Sequence, residues 1–459
     1  MALLDSLAWF LAISLIWFGF LWLLKRSGRT GRPDEPAGAE RFGLALMGPF
    51  LMWKTGKGRA LIDRLARRRR FWRVFGDLSI VLVGIAMVAM TVLLAWLAFL
   101  VVNIPPGREP SPQMLLGIPG INPLIPVWYG IFGLAVSIII HEFCHGILAR
   151  ASKVKVNSLG LLFFVVPIGA FVEPDEGEMK AMPRRERARL YSVGPAVNIL
   201  LALLFAFLFS SVFMASVTPV ARGVGIVEVT PGGPAEGIGL RPGVILLSVN
   251  DTATPNVTAF LAAMAVTRAN DTVNLTYTAK GLAAPVATTV RLGDAANFTK
   301  DEARRGKGFL GVTPLPVRLT TAYFHPIGGA DELGGLMQST IAYVSLPFSG
   351  LQPMGGVAAE FFEIHGPLAG LGEGAFWVLA NVLYWLFWLN LMLGMTNALP
   401  AVPLDGGYVF RDGLHALVAR VRSGMAADAR ERVVKNVSYV FALAILTLIV
   451  WQFIGPWLF

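Results

Sequence analysis

Six apolar stretches, each of about the 20 residues that an α-helix needs to cross the hydrocarbon core of a bilayer, limit what this chain can fold into. They run from Leu7 to Leu24, Leu78 to Val102, Pro126 to Arg150, Tyr191 to Met214, Phe376 to Leu399 and Val437 to Ile454. The composition agrees, with 55% hydrophobic and only 15% charged residues and a mean hydropathy of +0.62. This is a polytopic α-helical membrane protein of about six spans, not a soluble domain. The 12 Trp and 30 Phe suit spans with interfacial aromatic belts. A net charge of +10 is concentrated in short loops, so it implies no nucleic-acid partner. Cys144 is the single cysteine, which excludes an intrachain disulfide.

Cationic residues accumulate in cytoplasmic loops, and here they fall on every second loop. The first such loop holds Lys25, Arg26, Arg29, Arg32, Lys54, Lys57, Arg59, Arg64 and Arg67 to Arg70. Lys153, Lys155, Lys180, Arg184, Arg185, Arg187 and Arg189 follow the third span. Arg411, Arg420, Arg422, Arg430, Arg432 and Lys435 follow the fifth. Both termini and the segment from Val217 to Leu315 are then extracytoplasmic, in keeping with Asn-x-Ser/Thr sequons at Asn250, Asn256, Asn270, Asn274 and Asn297. The start Met1-Ala-Leu-Leu-Asp5 lacks the basic residues of a signal peptide, which predicts a retained first span.

His141-Glu142-Phe143-Cys144-His145 stands near the cytoplasmic end of the third span. On a helix, residues i and i+4 lie about 40° apart and one turn along, so the two imidazoles converge on one ion. Glu142 is rotated by about 100° and can act on water held there. Ionisable groups inside a span are costly and mark functional sites. Zinc suits this nitrogen-rich pair, and one Zn2+ per chain is expected. The third ligand is expected from the fifth span, which ends Asn397-Ala-Leu-Pro400-Ala-Val-Pro403-Leu404-Asp405-Gly406-Gly407. Two prolines and two glycines unwind the helix around one carboxylate, and irregular backbone at membrane depth occurs only inside protein or along a cavity. Asp405 is that ligand. Cys144 reads as a small apolar neighbour on the same helix.

These two motifs and their order resemble the site-2 protease family of intramembrane zinc metalloproteases. That family pairs an HExxH span with a later span ending in Asn-x-x-Pro and Leu-Asp-Gly-Gly, here Asn397, Pro400 and Leu404 to Gly407. It also has a Gly-x-x-x-Asn element, matched by Gly194-Pro195-Ala196-Val197-Asn198. The resemblance implies that His141, His145 and Asp405 bind zinc, that Glu142 is the general base and that Asn397 holds the substrate carbonyl or its oxyanion. It implies a substrate-binding role for Asn198, whose plainer role is an interhelical hydrogen bond. Val156 to Glu173, ending Gly169-Ala-Phe-Val-Glu-Pro174, looks like the family's membrane-associated β-hairpin. Its strand edge would take up an unwound substrate beside Gly169 and Phe171.

Between Gly223 and Thr313, alternating runs at Gly225 to Val229, Val244 to Val249 and Val273 to Tyr277 read as strands. With Gly232 to Leu240 and Val249-Asn250-Asp251, the region is similar to a PDZ domain, a small α+β fold that would bind a peptide or C-terminus. The chain then divides into an N-terminal two-span region with its basic loop (1–124) and a first part of the protease core (125–216). The PDZ-like extracytoplasmic domain (217–315), an interfacial or re-entrant segment (316–375) and the rest of the core (376–459) follow.

The leading expectation is a multi-pass protease of the cell membrane. It cuts single-span proteins within the lipid bilayer, in regulated intramembrane proteolysis, with its active site near the cytoplasmic side. The alternative, a zinc-binding transporter or sensor without proteolysis, has no need of Glu142 beside a His pair. An inactive scaffold would leave the zinc motifs without purpose.

Overall fold

Backbone amides inside hydrocarbon must be bonded within the protein, and the apolar stretches meet that demand as helices. The computed structural model describes residues 15–26, 43–103, 112–115, 117, 119–164, 166–299, 301–349 and 354–458. Its principal helices are α1 (15–26), α2 (Arg59–Ala66), α3 (Arg69–Leu100), α4 (Val127–Ala151), α5 (Arg184–Phe207), α6 (Glu373–Asn397), α7 (Asp405–Val421) and α8 (Ala427–Leu458). Among the described residues, five helical stretches are long and apolar enough to cross a membrane: Arg69–Asn103, Val127–Ala151, Arg184–Ser216, Glu373–Asn397 and Ala427–Gly455. The other expected span, Leu7 to Leu24, is helical from residue 15, and its beginning lies outside the described residues. Helix α3 exposes Leu78, Val81, Ile85, Val88 and Val92 and buries Gly76, Ser79, Val83 and Ala86. Small residues face the protein and large apolar ones face outward, as helix packing in lipid requires.

Two compact units make up the described chain: the first draws on Met1–Pro123, Gly130–Leu203 and Leu386–Phe459, the second on Leu124–Tyr129 and Leu204–Trp385. The first contains an antiparallel sheet of four strands in chain order, β1 (Leu44–Met47), β2 (Phe50–Thr55), β3 (Val156–Phe164) and β4 (Val166–Pro174). The expected hairpin is β3–β4. Residues 44–55, read from sequence as part of a basic loop, instead form two more strands of the same sheet. Two apolar runs flank a Gly48-Pro49 turn, with Gly48 at a φ of 59° that favours glycine. Strand β2 pairs with β3 from Leu51 opposite Phe163 to Thr55 opposite Leu159, so the free edge beside β3 belongs to β4.

Two close approaches place this sheet. At Gly160, a Cβ would collide with the Trp53 carbonyl and the Phe171 ring, so glycine lets Phe171 lie across β3. At Gly146 in α4, a Cβ would meet Ile62 of α2 at 2.9 Å and Val172 of β4 at 3.0 Å. The edge strand and a short basic helix are thereby packed against the helix that carries both histidines. Lys54 also pairs with Glu173 at 3.1 Å across β3, where the Ser158 hydroxyl donates to the same carboxylate.

The second unit holds an antiparallel sheet of strand order β8-β7-β6-β5-β9. The strands are β5 (Val224–Val229), β6 (Ile245–Val249), β7 (Thr272–Thr278), β8 (Val286–Arg291) and β9 (Val312–Pro316), and Thr252–Ala253 also pairs with β6. The three strands expected from alternation are β5, β6 and β7. Val224, Ile226, Leu246, Val249, Val273, Leu275 and Val290 fill its core. Several sequon asparagines have local structural roles. Asn250 and Asn270 adopt left-handed backbone at φ 47° and 69°, and Asn256 caps the helix Val257–Ala265 by accepting from Ala259 N–H. The described residues between 316 and 372 include short helices, Val317–Tyr323 and Leu336–Val344 among them.

Replacing Gly160 by Val is expected to lower the thermal unfolding midpoint in detergent, because overpacking costs about 1–3 kcal/mol. An unchanged midpoint would mean that β2, β3 and Phe171 do not meet there.

Candidate metal centre

His141 and His145 lie one turn apart on α4, and their Nε2 atoms are 3.2 Å from each other. The third group comes from the break between α6 and α7. Pro400 and Pro403 cannot continue a helix, and Asp405 is the first residue of the next one. The two glycines after it allow α7 to begin hard against this turn. A Cβ on Gly406 would collide with the Ala398 carbonyl, and one on Gly407 with the Val402 amide. Asp405 Oδ2 lies 3.0 Å from His141 Nε2 and 3.2 Å from His145 Nε2. A tetrahedral zinc with bonds of about 2.0–2.1 Å holds its ligand atoms about 3.3 Å apart. The three atoms have the mutual spacing of one face of such a tetrahedron.

Each imidazole is oriented from behind. His145 Nδ1–H donates to the Leu190 carbonyl at 2.7 Å, which leaves its Nε2 lone pair for the cluster. The carboxamide of fully buried Asn198 lies 3.3 Å from His141 Nδ1. The atom placed there is Nδ2, and Oδ1 has no partner; exchanging the amide's N and O would let that oxygen accept the Nδ1 proton and free His141 Nε2 in the same way. Gly194 completes the arrangement. A Cβ there would reach His141 Nε2 at 2.6 Å and collide with His145 Nε2, so only glycine leaves room where the nitrogens converge.

These supports lie on one stripe of α5. Arg187, Leu190, Tyr191, Gly194 and Asn198 follow 3- and 4-residue spacing, which brings them to a single helix face. A matching stripe of α7 carries Asp405, Tyr408 and Asp412. Tyr191 and Tyr408 stack with centroids 4.5 Å apart and planes within 13°. One turn further, Arg187 grips the buried carboxylate of Asp412 through Nε at 2.8 Å and a second, shorter bond. The helix that delivers the Asp405 carboxylate is thus docked to the helix that orients the histidines.

Glu142 points to the sheet, where its Oε2 accepts from the Val172 N–H of β4 at 3.3 Å. Gly169 and Phe171 lie on the same strand, opposite Leu162 and Gly160. Asn397 is turned back on its own helix, donating to the Leu393 carbonyl at 3.1 Å. The structure therefore brings His141, His145 and Asp405 together, sets Asn198 on His141 and Glu142 on the edge strand, and bonds Asn397 to its own helix. Sequence reasoning missed Leu190, Tyr191, Arg187, Tyr408 and Asp412, and quoted Gly194 only as part of a motif. The signal was the helical spacing of polar and small residues in an apolar span.

A profile of peptidase family M50 matches residues 129–445, a stretch that contains all three clustered side chains. The chain belongs to peptidase family M50. These are the site-2 proteases, so the protein is a multi-pass membrane metalloprotease. A Methanocaldococcus jannaschii protein named as uncharacterized is 23% identical over 368 residues, 79% of this chain and 77% of its own. Two relatives carry the name "Putative zinc metalloprotease". One, from Mycobacterium tuberculosis, is 35% identical over 118 residues, 26% of this chain and 30% of its own. The other, from Rhizobium meliloti, is 22% identical over 375 residues, 72% of this chain and 96% of its own.

Residues that orient metal ligands typically contribute 10- to 100-fold to affinity. In this M50 peptidase, Asn198→Ala is expected to weaken zinc binding by about that factor, and Gly194→Ala to lose the ion on purification. Metal analysis finding one full zinc in purified Gly194→Ala would show that the nitrogens do not converge below Gly194.

Proposed function

We propose that this peptidase hydrolyses peptide bonds within the membrane-spanning segments of single-span proteins, using one zinc held by His141, His145 and Asp405. The observation that carries this reading is the origin of the three donors, which come from one span-length apolar helix and from the break that ends another. When bound there, zinc supplies a Lewis acid that polarises a carbonyl and acidifies water. Glu142 would accept a proton at its carboxylate from the attacking water as the water oxygen bonds the scissile carbonyl carbon, and would pass it to the amine as the C–N bond breaks. The Val172 N–H bond holds this carboxylate at the edge of β4. Because that N–H points away from β3, it marks the free edge on which an unwound substrate can add as a further strand, beside Gly169 and Phe171. Asn198 acts as a positioning residue for His141, and Asn397 would have to leave Leu393 to hold the substrate carbonyl.

Orientation follows the basic loops, which support a cytoplasmic placement for the metal end of α4 and for the start of α7. We read residues 217–315 as a PDZ-like extracytoplasmic module that takes a peptide or C-terminus. The β5–β9 sheet with its packed helix supports that reading.

Loss of a general base typically costs about 10²- to 10⁴-fold in rate. Glu142→Gln is expected to keep its zinc and lose cleavage by that factor, with mass spectrometry of co-expressed single-span proteins as the readout. Wild-type fragment patterns from this variant would remove Glu142 from the mechanism.

A further inference from the structure

A cavity of about 390 Å³ is walled by Lys180, Arg184, Arg187, Arg411, Tyr191 and Tyr408. Its two tyrosines tie it to the site. Tyr191 follows Leu190, whose carbonyl orients His145, and Tyr408 lies one turn after Asp405. Two carboxylates, Asp412 and Glu431, also line it, but each already has a cation of its own. Arg187 holds Asp412, and Arg411 holds Glu431.

Lys180 and Arg184 are left in surplus. Arg184 stands 4.0 Å from an Asp412 that Arg187 already grips on both oxygens. Among the described residues, Lys180 meets only Glu176, in an i,i+4 pair whose side chains are 75% and 78% exposed, and such pairs contribute little. The position of these two cations is set by the edge strand. Beyond Pro174 the chain turns at Asp175, whose carboxylate caps the helix Glu176–Ala181 through Glu178 N–H. That helix brings Lys180 to the cavity wall, and Arg184 opens α5. A substrate lying along β4 past Val172 is therefore led toward a pocket with unspent positive charge.

We propose that this cavity is a subsite for an acidic side chain, Asp or Glu, in the flank of the substrate next to the bond that is cut. The inference rests on the reading that substrates add to the β4 edge. It gives that site a selectivity, because the cytoplasmic flanks of spans are usually rich in Lys and Arg. A basic flank meets like charge at Lys180 and Arg184 and is rejected, whereas an acidic one is held.

The test uses the full-length zinc-loaded protein in nanodiscs of neutral phosphatidylcholine. Its substrates are three versions of one single-span protein, whose flank carries two Asp, two Ala or two Lys. A surface charge pair changes an equilibrium by about two- to fivefold. With two cations, the Asp substrate is expected to exceed the Lys substrate about fivefold or more in kcat/KM, mainly through KM, and the gap should shrink with salt. Lys180→Glu with Arg184→Glu should invert the order, and the exposed Lys180→Glu alone should narrow it should the double variant fold poorly. Equal cleavage of all three flanks, or an unchanged order in both variants, would overturn the subsite alone. No cleavage of any version by zinc-loaded wild type would overturn it together with the reading on which it rests. Rates that follow added anionic lipid and ignore the flank would overturn it by assigning the cavity to a headgroup.

Discussion

The structure depends on bringing two imidazoles and a carboxylate to one point within an apolar protein. Polar groups taken from water are costly unless each finds a partner, and three donors facing one another satisfy that condition only around a cation or shared protons. The fold meets the requirement from three sides. Helix α4 supplies His141 and His145 by simple helical spacing. The broken end of α6 supplies Asp405 because Gly406 and Gly407 let α7 begin against the turn. Helix α5 supplies no donor, yet its stripe from Arg187 to Asn198 orients both rings, clears space at Gly194 and docks α7 through Tyr191 and Arg187.

The same packing ties the chemistry to the sheet. Ile62 and Val172 close on Gly146, so β4 is held against the helix that carries the histidines. Glu142, one residue beyond His141, then reaches a backbone amide of the edge strand rather than bulk water. Helix geometry alone turns Glu142 about 100° from His141 and about 60° from His145, which frees it to face the strand. Strands β1 and β2 cover the opposite side of β3 and leave that edge as the one beside the site.

Much of this was legible in sequence because it depends on local periodicity. Spans follow from apolar length, the histidine pair from i,i+4 spacing, and β5, β6 and β7 from alternation. The carboxylate that meets the two histidines was legible because prolines and glycines around one carboxylate have no place in an uninterrupted span. What escaped depends on pairing between distant segments. Leu44 to Thr55 carries few charges of its own, but lies in a loop dominated by arginines, and only β3 makes it part of a sheet. Arg187 reads as one more cation in a basic loop until Asp412, far along the chain, is placed against it. Gly194 and Asn198 look like any small-residue packing face of a span. The sequons suggested an outer location, yet Asn250, Asn256 and Asn270 are accounted for by turns and a helix cap.

The central claim is that His141, His145 and Asp405 hold the catalytic zinc. X-ray absorption at the zinc edge of the purified full-length protein tests it most directly, because imidazole nitrogen, carboxylate oxygen and sulfur scatter distinguishably. The account predicts two imidazoles and oxygen at about 2.0–2.1 Å, with one imidazole lost in His145→Ala and an oxygen contribution altered in Asp405→Ala. Sulfur at about 2.3 Å, which would place Cys144 on the metal, or a spectrum unchanged by both substitutions, would contradict it.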